Sequence, residues 1–276
     1  MKQHIEFRDT EHFRERYQRI FPGEPLSQFI DFFWQTDFES VLQENPEGFS
    51  DLLFPNTGYT YIINLGSPFI MQVNRDKFRI TSKSDNFLPR HEVIECFHSE
   101  GCCIFGIKFK ISPILLEKKV NFSEYRNSMN PLSYLIDRSV IKAVRESDSF
   151  RERVNLLSGY FLNLIGANNP PAYISIVTGV LKEFAAGKYS VPVEELAENH
   201  NISVRTLQRY FEQAMSLGTK QTLQIFRIRH AVESIAKGNP SFLQDHGYYD
   251  QSHFIRHLKK FTSPRNYEEI YRVLKP

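Results

Sequence analysis

GYYDQSHFIRHLKKF, Gly247 to Phe261, is the stretch whose reading decides the fold. Gly247 can end one helix in the left-handed conformation. Asp250 offers a side-chain acceptor to the free N–H groups that open the next. Phe254, Leu258 and Phe261 fall at i, i+4 and i+7 and form a buried stripe, while Ser252, Arg256 and Lys259 repeat that interval on another face. The first turn of this helix therefore carries Gln251, Ser252 and His253, with Arg256 one turn on. A catalytic histidine and a helix pressed into a DNA groove are the two uses such a segment suggests. Catalysis needs a base or nucleophile partnered with His253, and the sequence offers none, so no catalytic residue is expected.

Upstream, VPVEELAENHNISVRTLQRYFEQAMSLG (Val191 to Gly218) repeats this grammar. Pro192 suits a helix start. Val193, Leu196 and Ala197 face inward, Asn199-His200-Asn201 forms a turn, and Ser203 caps a second helix running from Val204 to about Met215. Val204, Leu207 and Phe211 are its expected core stripe, and Arg205, Gln208, Arg209 and Glu212 its polar stripe. Helix, short turn, helix with a donor-rich face is the helix-turn-helix pattern. Arg can donate twice to guanine and Gln can pair with adenine. A merely solvated helix face has the same composition, and spacing alone does not separate the two.

The segments ISVRTLQRYF (202–211) and GYYDQSHFIRHLKKFTSP (247–264) resemble the two halves of the DNA-binding domain of AraC/XylS-type transcription regulators. The likeness spans roughly residues 172–272. It implies two helix-turn-helix units joined by a long helix and double-stranded DNA as partner, with RNA polymerase as a further partner if the protein is an activator. Arg205, Gln208 and Arg209 become the candidate DNA contacts of the first unit, and Gln251, Ser252, His253 and Arg256 those of the second. The joining helix falls on TKQTLQIFRIRHAVESIAKG (219–238). Its roughly 17 residues span about 26 Å, to be set against the roughly 34 Å between successive major grooves. Arg227 and Arg229 in it either touch phosphates or fix the helices to one another. KGNPSFLQDHG (237–247) is short for the pattern and has Phe242-Leu243 where an Ile-Ala pair is usual. The first unit then carries most of the reading. The alternative is a ligand-binding or protein-interaction module whose DNA binding is weakened by that shortening.

Before residue 110 the pattern changes to short β-rich runs: LSQFIDFFWQTDF, DLLF, GYTYIINLG, SPFIMQV, KFRITS, EVIECF and CCIFGIKFKI, with turns at Pro55-Asn56-Thr57-Gly58 and Ser99-Glu100-Gly101. SPILLEKKV, PLSYLIDRSVIKAVRES and SFRERVNLLSGYFLNLIG then read as helices. Short strands at this spacing suggest a small barrel or sandwich, and the resemblance implies the barrel, so the expected fold class is α+β: an N-terminal small β-barrel of the cupin-like kind with flanking helices, followed by an all-α double helix-turn-helix domain. The expected division is 1–166 for effector sensing or dimerisation, 167–171 as linker, and 172–276 for DNA binding. A small-molecule effector and a homodimer are what the resemblance implies for the first part. Tyr59, Tyr61 and Trp34 either line such a pocket or fill the core, and the ligand residues are unassigned.

Composition narrows the alternatives. The chain has 276 residues, 41% hydrophobic and 24% charged, which suggests two domains as a soft prior. From Pro170 onward there are 14 Lys and Arg against 10 Asp and Glu, whereas residues 1–169 carry 20 against 22. This slight basic bias leans toward a nucleic-acid partner for the C-terminal part. Three cysteines without an apolar leader imply reduced thiols and a cytoplasmic location, and no run is apolar enough to span a membrane. His91, Glu92 and His98 miss the cupin metal spacing. Cys96, His98, Cys102 and Cys103 include adjacent cysteines that point to opposite faces of a strand, so no metal and no cofactor are expected. Phosphate loops and hydrolase motifs are absent as well, so the chain is not expected to be an enzyme.

Overall fold

The computed structural model describes residues 1–126, 129–239, 241–262 and 267–268. In the N-terminal part the strands are β1 (Lys2–Ile5), β2 (Tyr17–Ile20), β3 (Ile30–Thr36), β4 (Phe49–Leu53), β5 (Tyr59–Asn64), β6 (Phe69–Val73), β7 (Asp76–Ile80), β8 (Asp85–Pro89), β9 (Ile94–His98), β10 (Ile104–Phe109) and β11 (Asn130–Pro131). Helix α1 (Thr10–Glu15) precedes β2, and α2 (Glu39–Glu44) precedes β4. They make two sheets, ordered β1-β4-β9-β6-β7 and β11-β8-β5-β10-β3-β2. All pairings are antiparallel except β1 with β4. The two sheets are not closed into a barrel, which corrects the expected small barrel. The strand expected over LSQFIDFFWQTDF is β3. Strand structure begins earlier than residue 27, because the charged N-terminal segment supplies β1 and β2.

Strands β5 and β10 are buried along their whole length, because layers cover both of their faces. Side chains in a strand alternate. Tyr59, Tyr61, Ile63, Phe105, Ile107 and Phe109 join the core shared with the helices, while Ile62 and Ile104 join the core between the sheets. A strand covered on both faces reads as a continuous apolar run, which explains YTYIIN. Gly106 pairs with Trp34 on β3, and a Cβ there would overlap the indole ring. Gly58 at the β4–β5 turn has φ +74° and packs on the carbonyl of Phe109, a conformation and a clearance that only glycine meets.

The helices are α3 (Arg138–Glu146), α4 (Phe150–Ala167), α5 (Ala172–Ala186), α6 (Val193–Asn199), α7 (Val204–Met215), α8 (Thr219–Ala236), α9 (Phe242–Asp245) and α10 (Gln251–Phe261). Ser149 and Glu152 form a reciprocal capping box at the start of α4. SPILLEKKV forms only a single 3₁₀ turn, Pro113–Leu116, capped by Ser112. Asn168 to Pro171 connects α4 to α5. Two apolar cores cross that connection. One runs from Tyr61 and Phe109 through Phe161 to Val177, Leu196 and Phe211. The other joins Ile5, Leu52 and Phe54 to Ile228, Phe254 and Leu258.

Gly106→Ala forces the Trp34 ring aside and is expected to destabilise the chain by about 1–3 kcal/mol. Gly159→Ala in α4 meets nothing within 4 Å and is expected to stabilise it by about 0.5–1 kcal/mol through helix propensity. Urea unfolding of both variants checks the pair.

Candidate nucleic-acid interface

The first helix-turn-helix forms over the residues the sequence marks. α6 opens after Pro192 with Glu194 and Glu195 in its first turn, where carboxylates meet the positive end of the helix dipole. Asn201 takes a positive φ of 54° to close the turn. Glu183 on α5 pins the turn from outside: it accepts from Asn199 Nδ2 at 2.5 Å, and His200 Nε2 lies 3.2 Å from its other oxygen. Gly179 leaves the room that His200 fills. Ser203 Oγ then accepts from the Thr206 N–H at 3.1 Å and starts α7.

On α7, Leu207 and Phe211 are fully buried. Val204, expected in the same stripe, is 39% exposed. It stands in the first turn of α7 and lines a surface groove together with Val193 of α6. Arg205, Gln208 and Arg209 are exposed. Gln208 Nε2 donates to Glu212 Oε1 at 3.0 Å, and the Arg209 guanidinium lies 5.5 Å from the Tyr210 ring centre. Among the described residues Arg205 has no polar partner.

The second unit is shorter. α9 is a single turn with no fully buried residue. Gly247 has φ +63°, as its place between two helices demands. Asp250 Oδ1 accepts from the His253 N–H at 2.7 Å and caps α10. Phe254, Leu258 and Phe261 are buried; Gln251, Ser252 and Arg256 are exposed; His253 is half-buried. Tyr248 Oη and His257 Nδ1 share a hydrogen bond at 3.0 Å. Burial, reinforced by the Arg227 charge, pushes His257 down to about 4, so it stays neutral near neutral pH.

α8, 18 residues long and about 27 Å from end to end, joins the units. Val204 and Gln208 of α7, Lys220, Gln224 and Arg227 of α8, and His253 and His257 of α10 line one surface groove of 460 Å³. Of the sequence-marked contacts, Gln208 and His253 meet in this groove. Arg205, Arg209, Gln251, Ser252 and Arg256 stand on the exposed faces of the two helices beside it. Lys220 and Gln224 were missed. Their signal was an i, i+4 polar pair at the start of the joining helix.

Arg229 does not face this groove. Its guanidinium donates to Glu6 Oε1 at 2.8 Å and to the carbonyls of Phe54 and Pro55, both at 3.4 Å, so it fixes α8 to the first sheet. Arg227 lies between the rings of Phe184 and Tyr248, 5.5 and 5.8 Å from their centres.

Inside the first part, Tyr59 O–H donates to the Phe122 carbonyl and Tyr61 O–H bonds Ser112 Oγ, so both tyrosines are core. Trp34 lines a cavity of 60 Å³ between the sheets, with Phe13, Ile62 and Met71 among its apolar walls and Glu6, Arg19, Arg90 and Lys108 as its charges. Arg90 Nε is buried without a partner. Burial pulls the Lys108 ammonium down to about 7. Cys96 and Cys102 are buried, and burial pushes the Cys102 thiol up to about 12 and that of Cys96 higher still, which leaves both as poor nucleophiles.

No family model matches the chain, and no curated protein matches it in sequence. Among solved structures it is similar to ToxT from Vibrio cholerae, with TM-score 0.47 and 10% identity over 79% of this chain and 91% of that one. It is also similar to wild-type ToxT bound to an unsaturated fatty acid (TM-score 0.44, 11% identity, 79% and 88% covered). The AraC-like transcriptional activator CuxR matches at TM-score 0.27 and 10% identity over 83% and 92%. All these likenesses are loose, with TM-scores below 0.5. Among the described residues no helix is long and apolar enough to cross a membrane.

Burial alone would raise the Glu6 carboxyl, but the Arg229 charge and hydrogen bond win and hold it below the usual range. A carboxyl lowered on folding contributes stability that is complete above its unfolded pKa, about 4.3, and is lost as pH falls through the folded value. Glu6→Gln is expected to cost roughly 2–4 kcal/mol at pH 7 by stranding Arg229. It should also flatten the acid limb of stability below about pH 4.5. Urea unfolding across the pH range reads both effects.

Proposed function

We propose that this chain is a sequence-specific DNA-binding transcription regulator of the AraC type. Its reading residues are Arg205, Gln208 and Arg209 on α7 and Gln251, Ser252, His253 and Arg256 on α10. The observation that carries this reading is that two side-chain-capped helices, each with an exposed Arg and an exposed Gln, border one groove floored by the helix that joins them. Long donors at the N-terminal half of a rigid helix are what base edges in a major groove require. Residues 172–276 form the DNA-binding part in this reading, and residues 1–166 form the sensing part. A homodimer and, for an activator, RNA polymerase are its further partners.

Affinity for a consensus selected from genomic fragments is expected to fall steeply as salt rises. Arg209→Ala is expected to weaken binding about 5- to 150-fold, the equivalent of roughly 1–3 kcal/mol for a bidentate base contact. Gel shifts at fixed salt measure this, and unchanged affinity with unchanged base preference removes Arg209 from the reading role. The one-turn α9 favours a second reading, a ligand-binding or protein-interaction module with weakened DNA binding. Selection at low salt that enriches no motif would establish it.

The effector site in this reading is the cavity between the sheets. It adjoins a wider cleft of 1070 Å³ bordered by Lys108, Lys182, Phe226 and Arg229. Apolar walls, the unpartnered Arg90 Nε and the buried Lys108 suit a small apolar molecule with an anionic head. Such a head favours the charged ammonium. Burial already pulls the Lys108 ammonium down to about 7, so affinity is expected to fall as pH rises above that value. Binding of an anionic naphthalenesulfonate dye between pH 6 and 9 tests this. Lys108→Met should remove the pH dependence, and a parent chain with pH-independent binding would exclude Lys108 from the site.

A further inference from the structure

His4 on β1, His12 on α1 and Asp51 on β4 converge inside the first part of the molecule, away from the DNA-facing helices. Asp51 is fully buried, and the His4 and His12 side chains are 5% and 8% exposed. His4 Nδ1 lies 3.3 Å and His12 Nε2 2.9 Å from the same oxygen, Asp51 Oδ1. One ligand atom from each residue falls within 4.8 Å of the other two. The two imidazoles stack face to face, with centres 3.7 Å apart and planes 18° from parallel. The other carboxylate oxygen accepts from Tyr17 O–H at 2.5 Å.

A second observation points to a ligand here. His98 on β9 is buried, and its Nε2 lies 3.3 Å from Asp51 Oδ2 yet has no hydrogen-bond partner. A buried nitrogen of this kind is normally satisfied. Its other nitrogen, Nδ1, faces Cys102 Sγ at 3.4 Å.

We propose that His4, His12 and Asp51 bind a divalent first-row transition-metal ion through Asp51 Oδ1, with His98 standing beside the other carboxylate oxygen. Imidazole and carboxylate together suit zinc and its neighbours in the first transition row, rather than calcium or magnesium. Imidazole and carboxylate donors about 2.0–2.2 Å from a tetrahedral ion stand roughly 3.3 Å from one another, close to the separations found. A buried carboxylate needs positive charge beside it. Two protonated imidazoles repel each other at this stacking distance, whereas an ion binds both through their neutral lone pairs. Tyr17 then orients the carboxylate from outside the donor set. The ion clamps the N-terminal arm to the sheet. Glu6, two residues beyond His4, is the partner of Arg229 on α8, so occupancy bears on the segment that ties the sheet to the DNA-binding helices.

The test uses the full-length chain stripped by a chelator and titrated with Co²⁺. The expected result is one Co²⁺ per chain with visible d–d absorption, displaced by Zn²⁺, and unchanged in Cys103→Ser. His12→Gln and His4→Gln should each weaken binding at least about tenfold. Hydrogen exchange of residues 2–16 on the parent chain needs no variant, and free Co²⁺ at ten times Kd should slow it about tenfold where opening releases the ion. Absence of a Co²⁺ band, a band retained in both histidine variants, or exchange unaffected by Co²⁺ would each overturn the site and leave a buried hydrogen-bond network in its place.

Discussion

The bond between Glu6 and Arg229 is the constraint on which the arrangement of this molecule depends. Both carboxylate oxygens are engaged, one by the guanidinium and the other by the Phe54 N–H. The pair sits largely out of water, with side chains 16% and 17% exposed, so neither charge can lose its partner cheaply. β1 reaches Glu6 from one side and α8 reaches it from the other. The apolar core of Ile5, Leu52, Phe54, Ile228 and Phe254 closes around the same junction. Helix α8 is thereby seated on the first sheet rather than held by a loose linker. Phe7, whose ring lies 5.0 Å from the Arg229 guanidinium, extends the seat into the wide cleft.

This seat gives a physical route between the two proposed functions. The inter-sheet cavity and the cleft share Glu6, Arg19 and Lys108. A molecule held there meets the charge that Arg229 depends on. A ligand changes an equilibrium only through its differential affinity for two states, and an anion competing with Glu6 for cationic partners supplies such a difference. Helix α7 is coupled more directly, since Phe211 belongs to the core that contains Tyr61 and Phe161.

Much of the C-terminal part was legible because its signals are local. Ser203, Gly247 and Asp250 each act on neighbouring backbone groups, so their chemistry alone places helix ends. The buried stripes of α7 and α10 follow from helical periodicity, apart from Val204 at the first turn. The N-terminal part was legible as short strands in a barrel or a sandwich, but which strands share a sheet was not. β4 and β5 are neighbours across a turn, yet they enter different sheets, and nothing in DLLFPNTGYTYI marks the change. β1 and β2 hid in a charged segment because Lys2, Gln18 and Arg19 face outward, while His4 and Tyr17 turn inward toward partners distant in sequence. The roles of Arg90, Lys108, Arg229 and the His4–His12–Asp51 cluster were illegible for one reason: each depends on partners 39 or more residues away, or on cavity walls drawn from several strands.

Phosphate-ethylation interference on a duplex carrying the selected consensus tests the central claim most directly. Two clusters of essential phosphates on one face, centred about 10 base pairs apart, are the expected result, with Arg209→Ala altering one cluster and Arg256→Ala the other. A single cluster, or two on opposite faces, would contradict the joint use of α7 and α10.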